Sequence, residues 1–315
     1  MGIKLRSSIA ALILAIAIQG LSIGLISPNI PQSLCQPTLT KQVSLSYPAR
    51  REVSLFYPAY QQVQLQNTNG AVTVNTHDEN TILIEAEIRA FHNGKYVKED
   101  LAAYLDTLIQ VEEADKQLII VSEPDTRPDY LDLEVHYTLL VPRNTHLALK
   151  ESDGNVYIGK DCGRVLVDGN NTDIHIVSPL GPVEVQTANG RVRIQDAQDE
   201  TIIETVNGNI YAQMLGGSLQ ATTGNGSIST HILSTEVGGA ELTAMNGGIT
   251  MVVSANYGAT VNATTSTGVI TTEIPLDTQD GVQKRREVRG HFGVGTSRLN
   301  LSSLNGDITI KRDSQ

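Results

Sequence analysis

Two columns of side chains recur at eighteen-residue spacing and carry groups able to grip a polar ligand. One holds Tyr157, His175, Arg193 and Tyr211; the other, two residues earlier each time, holds Asn155, Asp173, Arg191 and Asn209. Aromatic faces stack on sugar rings and guanidinium forks pair with carboxylates, so this composition suits an acidic polysaccharide. Asp173 and Arg191 are neighbours in the second column and predict a surface ion pair worth under about 1 kcal/mol. The ligand-binding candidates are therefore Tyr157, His175, Arg191, Arg193 and Tyr211. Ordinary strand packing accounts for the same stripe, because tyrosines are common on strands.

Other chemistries find less support. Glu184 and Glu200 would sit roughly 8 Å apart on one sheet, inside the range of inverting glycosidases. They have no aromatic platform beside them, and no burial is expected to raise either pKa. A carbohydrate-processing solenoid enzyme is the alternative function, and the expected absence of buried carboxylates and of Trp favours binding or scaffolding over it. The seven histidines are scattered and no Gly-x-Ser-x-Gly elbow occurs. Gly293-Val294-Gly295 leads into a strand, whereas a phosphate cradle needs a helix N-terminus behind it. The oxygen-rich run from Asp168 to Asp173 matches neither EF-hand spacing nor the calcium nonapeptide, and corner chemistry explains it without an ion. No catalytic residue, metal or cofactor is expected. Lys284-Arg285-Arg286 with Arg289 is the single basic cluster and reads as a solvated loop, with an anionic glycan or lipid headgroup as the alternative. A formal charge of −11 argues against nucleic acid as a partner.

What must position the stripe is one short phrase written nine times between Asp153 and Thr230. Glycines 154, 163, 181, 190, 208, 217 and 226, with Thr172 and Asp199 at the two missing positions, fall nine residues apart. Apolar residues mostly follow two and four places after each anchor, as in Val183/Val185, Val192/Ile194 and Ile210/Ala212. This is the period of a half-buried strand in a repeat architecture. The residue before each anchor alternates between Asx (Asp153, Asn171, Asn189, Asn207, Asn225) and something else (Cys162, Leu180, Gln198, Gly216), so the structural period is eighteen, two strands per coil. Asn and Gly are expected at these corners because both tolerate positive φ. Cys162 reads as a buried thiol in the same column as Leu180.

Around this run the chain divides into three. Lys4 and Arg6 precede apolar stretches Ile9–Ile18 and Leu21–Ile26, so 1–27 reads as a signal peptide or N-terminal membrane anchor. Residues 28–60 form a linker with two proline-ended edge strands around Val43 and Val53. The solenoid domain spans 61–315, since Val63/Leu65, Val72/Val74 behind Asn69-Gly70, and Ile82/Ile84 echo the main phrase. A helical insertion near 95–110 places Leu101, Tyr104, Leu105 and Leu108 on one face, and a long strand alternates from Leu131 to Val141. After Thr230 the spacing lengthens to twenty-one, a polar loop at 275–290 interrupts the pattern, and Lys311-Arg312-Asp313 is expected to guard the open end.

The recurrent Asn-Gly-x-Ile phrase, the Val141-Pro142 before Leu147 and Leu149, and the ending from Gly293 to Ile310 resemble the bacterial putative-adhesin β-strand-repeat domain of unknown function, akin to head GIN domains. The likeness covers roughly residues 61 to 312. It implies an exported or membrane-anchored, single-stranded parallel β-solenoid, and it transfers no catalytic or binding residue. The chain is thus expected to be all-β, a right-handed solenoid with about two strands per coil of eighteen to twenty-one residues. Its expected role is a non-enzymatic cell-envelope scaffold or adhesion module. Its expected partners are cell-wall or anionic polysaccharide, or another envelope protein, with membrane contact only through an uncleaved N-terminus.

The register makes the first prediction. Val192→Asp buries an unpaired carboxylate at a cost of several kcal/mol and unfolds the coil, whereas Arg191→Asp on the outer face costs roughly half a kcal/mol or less. Thermal melts of the two variants check it, and equal melting temperatures would refute the register.

Overall fold

Period-two alternation with a corner every nine residues leaves each short strand unable to bury its apolar face alone, and stacking coil on coil solves this. The computed structural model describes residues 40–44, 49–92, 98–122, 131–277 and 283–313. Segment 1–27, Cys35 and positions 278–282 of the polar loop lie outside the described residues. The described residues fall within one compact unit, Pro37–Gln315.

The chain opens with β1 (Thr40–Ser44), β2 (Ala49–Pro58), β3 (Gln62–His77), β4 (Thr81–His92), the helix α1 (Lys98–Thr107), β5 (Gln110–Ala114), β6 (Gln117–Val121) and β7 (Leu131–Pro142). Two long bent strands follow, β8 (His146–Ile158) and β9 (Val165–Val177). Then come short strands in pairs: β10 (Val183–Asn189) and β11 (Val192–Ala197), β12 (Thr201–Asn207) and β13 (Ile210–Met214), β14 (Gly217–Asn225) and β15 (Ile228–Ile232), β16 (Val237–Asn246) and β17 (Ile249–Val253), β18 (Ala259–Thr265) and β19 (Ile270–Thr272). A hairpin, β20 (Gln283–Lys284) and β21 (Glu287–Phe292), precedes the last pair, β22 (Ser297–Asn305) and β23 (Ile308–Arg312).

The body is the two-strand solenoid read from the sequence. Val183 pairs in parallel with Thr201 and Thr201 with Leu219 in one wall; Val192 pairs with Ile210 and Ile210 with Ile228 in the other. Both apolar columns face inward: Val185, Ile194, Ile203, Ala212 and Ala221 are fully buried, and Val192 nearly so. The coil does begin with β3, which carries both walls of one coil through Asn69-Gly70 and pairs with β8 from Gln62↔His146 to Val74↔Ile158. α1 buries Leu101 and Leu105, with Leu108 just beyond it and Tyr104 packed against the core. Buried Arg51 of β2 forms an ion pair with Asp106 of the helix.

The corners hold for a different reason from the one expected. No Asn of the corner column has positive φ; that conformation belongs to glycines such as Gly190 (φ 134°). The asparagines form a ladder instead. Asn171 donates its side-chain amide to Asp153, Asn189 to Asn171, Asn207 to Asn189, Asn225 to Asn207, Asn246 to Asn225 and Asn305 to Asn246, at 2.6 to 2.9 Å. Glycine after the Asn is required by close approach: a Cβ on Gly208 would lie 1.8 Å from the carbonyl oxygen of Gly190 in the coil below.

The ends depart further from expectation. Ile82 and Ile84 belong to no coil; β4 lies antiparallel between β2 and β7, and β2 is an inner strand between β1 and β4. At the other end β22 and β23 insert between earlier strands: β22 pairs with both β16 and β18, and β23 with both β17 and β19. The charged tail therefore does not guard the open end. That end is covered by β21, antiparallel to β18, so the segment read as a polar loop is partly a capping hairpin.

Asn207→Ala breaks two ladder bonds and is expected to cost about 1 to 2 kcal/mol, while Gly208→Ala must displace backbone and costs about 2 kcal/mol or more. Urea denaturation of both variants checks this, and unchanged midpoints would show that the corner stack does not constrain the fold.

Candidate functional site

Strands β8, β9, β11 and β13 lie side by side, and their outward residues make the stripe a continuous surface. Tyr157 is in register with His175, His175 with Arg193, and Arg193 with Tyr211. The Tyr157 and His175 rings meet edge to face with centroids 5.4 Å apart, and the Arg193 guanidinium lies 4.4 Å over the Tyr211 ring. His175 is held by Nε2 to the Gln195 side-chain oxygen at 2.7 Å. In the parallel column Asp173 accepts the Arg191 main-chain N–H at 2.7 Å and its guanidinium at 3.3 Å. All five candidate residues are thus brought together.

Between the two columns runs a shallow trough of about 660 Å³, from Ala71 and Thr73 at one end to Ser227 and Ser229 at the other. The side chains of Val156, Ile174, Val192 and Ile210 are buried, so their main chain forms its floor. The lining carries Arg191 and Arg193 against one carboxylate, Asp173, in a protein whose formal charge is −11. One face of Tyr211 is already occupied by Arg193, so the trough offers fewer bare aromatic faces than the sequence suggested, in exchange for a guanidinium fixed in place.

The other candidate chemistries are not assembled. Glu184 pairs with Arg164 at 3.5 Å and stands in register with Ile202, and Glu200 is exposed at the edge of its strand. In the oxygen-rich run, Asn171 is committed to Asp153 and Asp173 to Arg191, while burial raises the Asp168 pKa against the opposing pull of Lys150. Among the described residues no three His, Cys, Asp or Glu side chains come together as a metal site. Cys162 is a free, buried thiol whose pKa desolvation pushes up to about 12.

The sequence reading missed a polar cluster inside the first coils and was wrong to expect no buried carboxylate. Glu151 is 1% exposed, and its Oε2 accepts from the Asn67 amide at 2.9 Å. Asn67, equally enclosed, also donates to the Val135 carbonyl and accepts from the Ser122 hydroxyl at 2.6 Å. Thr172 closes the group by donating to the Glu151 main-chain oxygen. Desolvation lifts the Glu151 pKa to about 8, against the hydrogen bonds from Asn67 and the Asp153 main chain. A signal was available: Asn67 and Glu151 stand two residues before their corner Asx, the inward position that Thr187, Thr205 and Thr223 fill in later coils. Glu151 does not line the trough.

The model of the family described as Toastrack DUF4097 matches residues 59–311. Similar solved structures include a "putative adhesin" from Bacteroides fragilis NCTC 9343, 14% identical over 84% of this chain and 99% of that one, with a TM-score of 0.47. A "putative lipid binding protein" from Parabacteroides distasonis ATCC 8503 is 12% identical over 84% and 97%, with a TM-score of 0.41. A "putative adhesin" from Parabacteroides merdae ATCC 43184 is 10% identical over 84% and 96%, with a TM-score of 0.41. No curated protein matches the chain.

The buried carboxyl makes stability depend on pH with a defined sign. Its folded pKa is raised from 4.5 to about 8, so the native state holds the proton more tightly than the unfolded chain. The resulting stabilisation is full below the unfolded value and is lost as pH rises through the folded one. Melting temperature is expected to fall across that window in the native protein, and Glu151→Gln, which cannot ionise, flattens the profile. A variant with the same pH slope would show that Glu151 does not titrate in this way.

Proposed function

We propose that this chain, which belongs to the Toastrack DUF4097 family, is a non-enzymatic, exported binding module of the cell envelope whose solenoid wall holds anionic polysaccharide in the trough. One observation carries the reading: Tyr157 with His175 and Arg193 with Tyr211 form two packed pairs in one outward strip beside Arg191, on a wall whose pitch the corner ladder fixes. Three coil intervals of roughly 4.8 Å give a strip about 14 Å long, room for a short run of sugar units. A guanidinium already packed on a ring loses less freedom on pairing with a carboxylate, so the strip is organised before the ligand arrives.

Export is supported by the Lys4/Arg6 and apolar pattern of the N-terminus. Among the described residues no helix is long and apolar enough to cross a membrane. Among the described residues the candidate carboxylates do not form an acid pair, which favours binding over hydrolysis: Glu184 is tied to Arg164, and Glu151 sits inside the coil away from the trough.

Exposed charges bind in high dielectric, so affinity should be modest and fall with salt. Arg193→Ala and Tyr211→Ala are each expected to weaken capture of acidic polysaccharide or cell-wall material by about tenfold, equivalent to about 1.4 kcal/mol, with the melting temperature nearly unchanged. A glycan array followed by pull-down measures this. If both variants bind as the native protein does, or the native protein retains nothing anionic, the reading is wrong.

A further inference from the structure

A second outward surface lies on the Asn corner, where the two walls meet. The residue just before each corner Asx or Thr forms a column of its own, because the residues flanking it pair coil by coil: Thr205↔Thr223↔Ala244↔Ser303 on one side and Asn207↔Asn225↔Asn246↔Asn305 on the other. Along the stack this column reads Thr68, Ser152, Asn170, Ala188, Val206, Gly224, Met245, Leu304 and Ser266. Val206, Met245 and Leu304 are 57%, 53% and 47% exposed. The corner accepts serine, alanine and glycine at this position, so packing does not call for large apolar residues there. Three of them in four successive coils form a ridge, unlike the scattered apolar residues of an ordinary surface.

The ridge runs toward a basic turn. Thr267 N–H donates to the Leu304 carbonyl, and one layer further on Thr265 and Ile270 N–H donate to the carbonyls of Arg286 and Arg285. The two-residue turn Arg285-Arg286 between β20 and β21 thus closes the same corner, and with Lys284 at the end of β20 it presents three exposed cations. The following carboxylate, Glu287, is engaged by Arg289 at 2.9 Å. The acids nearest the ridge in sequence are Glu204 and Asp307, and Asp307 accepts the Val269 N–H at 2.8 Å.

The geometry points to an anionic lipid bilayer as the partner of this edge, with Val206, Met245 and Leu304 dipping into the headgroup region and Lys284, Arg285 and Arg286 on the phosphates. A peripheral membrane contact needs two signals, a few apolar side chains and a basic patch, and both lie in one line here. Three side chains on a convex corner are far short of the roughly 800 Å² per partner that a stable dimer buries, which disfavours a second copy. The edge is separate from the trough, so either surface can fail without the other.

The test uses the full chain carrying Cys35→Ser, labelled with a polarity-sensitive dye at Met245→Cys or, on the opposite corner, at Gln198→Cys. The apolar N-terminus can carry both proteins onto vesicles, so only the difference between the two positions reports the ridge. With vesicles of phosphatidylcholine containing roughly 30% phosphatidylglycerol, the dye at 245 is expected to shift to the blue and that at 198 to stay unshifted. Phosphatidylcholine alone should give no shift at 245, and Arg285→Glu/Arg286→Glu should raise the lipid needed for half the shift at least about tenfold. Equal shifts at the two positions, no shift at 245, indifference to the charge reversal, or a shift that follows protein concentration without lipid would each overturn the proposal.

Discussion

A side-chain amide that donates to the coil below and accepts from the coil above can repeat without limit only if its neighbours sit one strand spacing apart, and the corner asparagines impose that condition on every coil they join. Asn189, Asn207, Asn225 and Asn246 each use the amide nitrogen toward one neighbour and the oxygen toward the other. Each bond is worth only about 1 kcal/mol net, but the ladder is cooperative in geometry: one slipped coil would unpair two rungs at once. The ladder also holds while the chain between rungs varies, from 18 residues to 21 between Asn225 and Asn246 and to 59 between Asn246 and Asn305. Extra residues are thrown out elsewhere, as in the register shift opposite Gly217 and Ser218. Two of the threonines two residues earlier add inner bonds, Thr187 to the Asn189 carbonyl and Thr223 to the Gly208 carbonyl, whereas the buried Thr205 hydroxyl between them has no partner.

A stack built this way has no natural stop, and each end must be closed by a different device. At the start, long antiparallel strands β2, β4 and β7 close one wall, and the β5–β6 hairpin lies on the other, with acidic Glu112 and Glu113 on its outer strand. At the finish the last pair of strands slides in beneath an earlier one, and β21 covers that. Closure of the C-terminal end therefore waits for the final stretch of chain, and β18 lacks its parallel neighbour until β22 arrives.

The regular middle was legible because one residue type does one job per column. Val192 and Ile194 against Arg191 and Arg193 specify inside and outside, and Asn189 followed by Gly190 specifies the corner. The strip was legible for the same reason, since columns eighteen residues apart had to become neighbours. The order of the last coils was not, because Val261/Ala263 and Leu299/Leu301 fit the growing stack equally well as apolar pairs. What separates them is the corner: Asn305 can extend the ladder from Asn246, whereas Thr267 has only a hydroxyl, which reaches Asn305 at 3.4 Å. Glu151 was overlooked because its residue type argues for solvent, although the alternation from Leu147 and Leu149 places it inward. Only the company of Asn67, Ser122 and Thr172, distant in sequence, makes its burial tolerable.

The division of labour among columns also decides where function can reside. Inward aliphatics and corner Asn-Gly pairs are constrained by packing and by the stack, so their identities report the fold. The outward columns are not so constrained: the position held by Tyr157, His175, Arg193 and Tyr211 is filled by Ser229, Thr250 and Thr309 in later coils of the same wall. The position held by Val206, Met245 and Leu304 is filled elsewhere by Ser152 and Gly224. Since serine, threonine or glycine satisfies the fold at these places, the coil itself does not require the large aromatic, cationic and apolar groups found there. The rigid pitch then holds strip and ridge at a fixed angle, so a ligand lying along the wall and a surface met by the corner would share one axis, the axis of the stack.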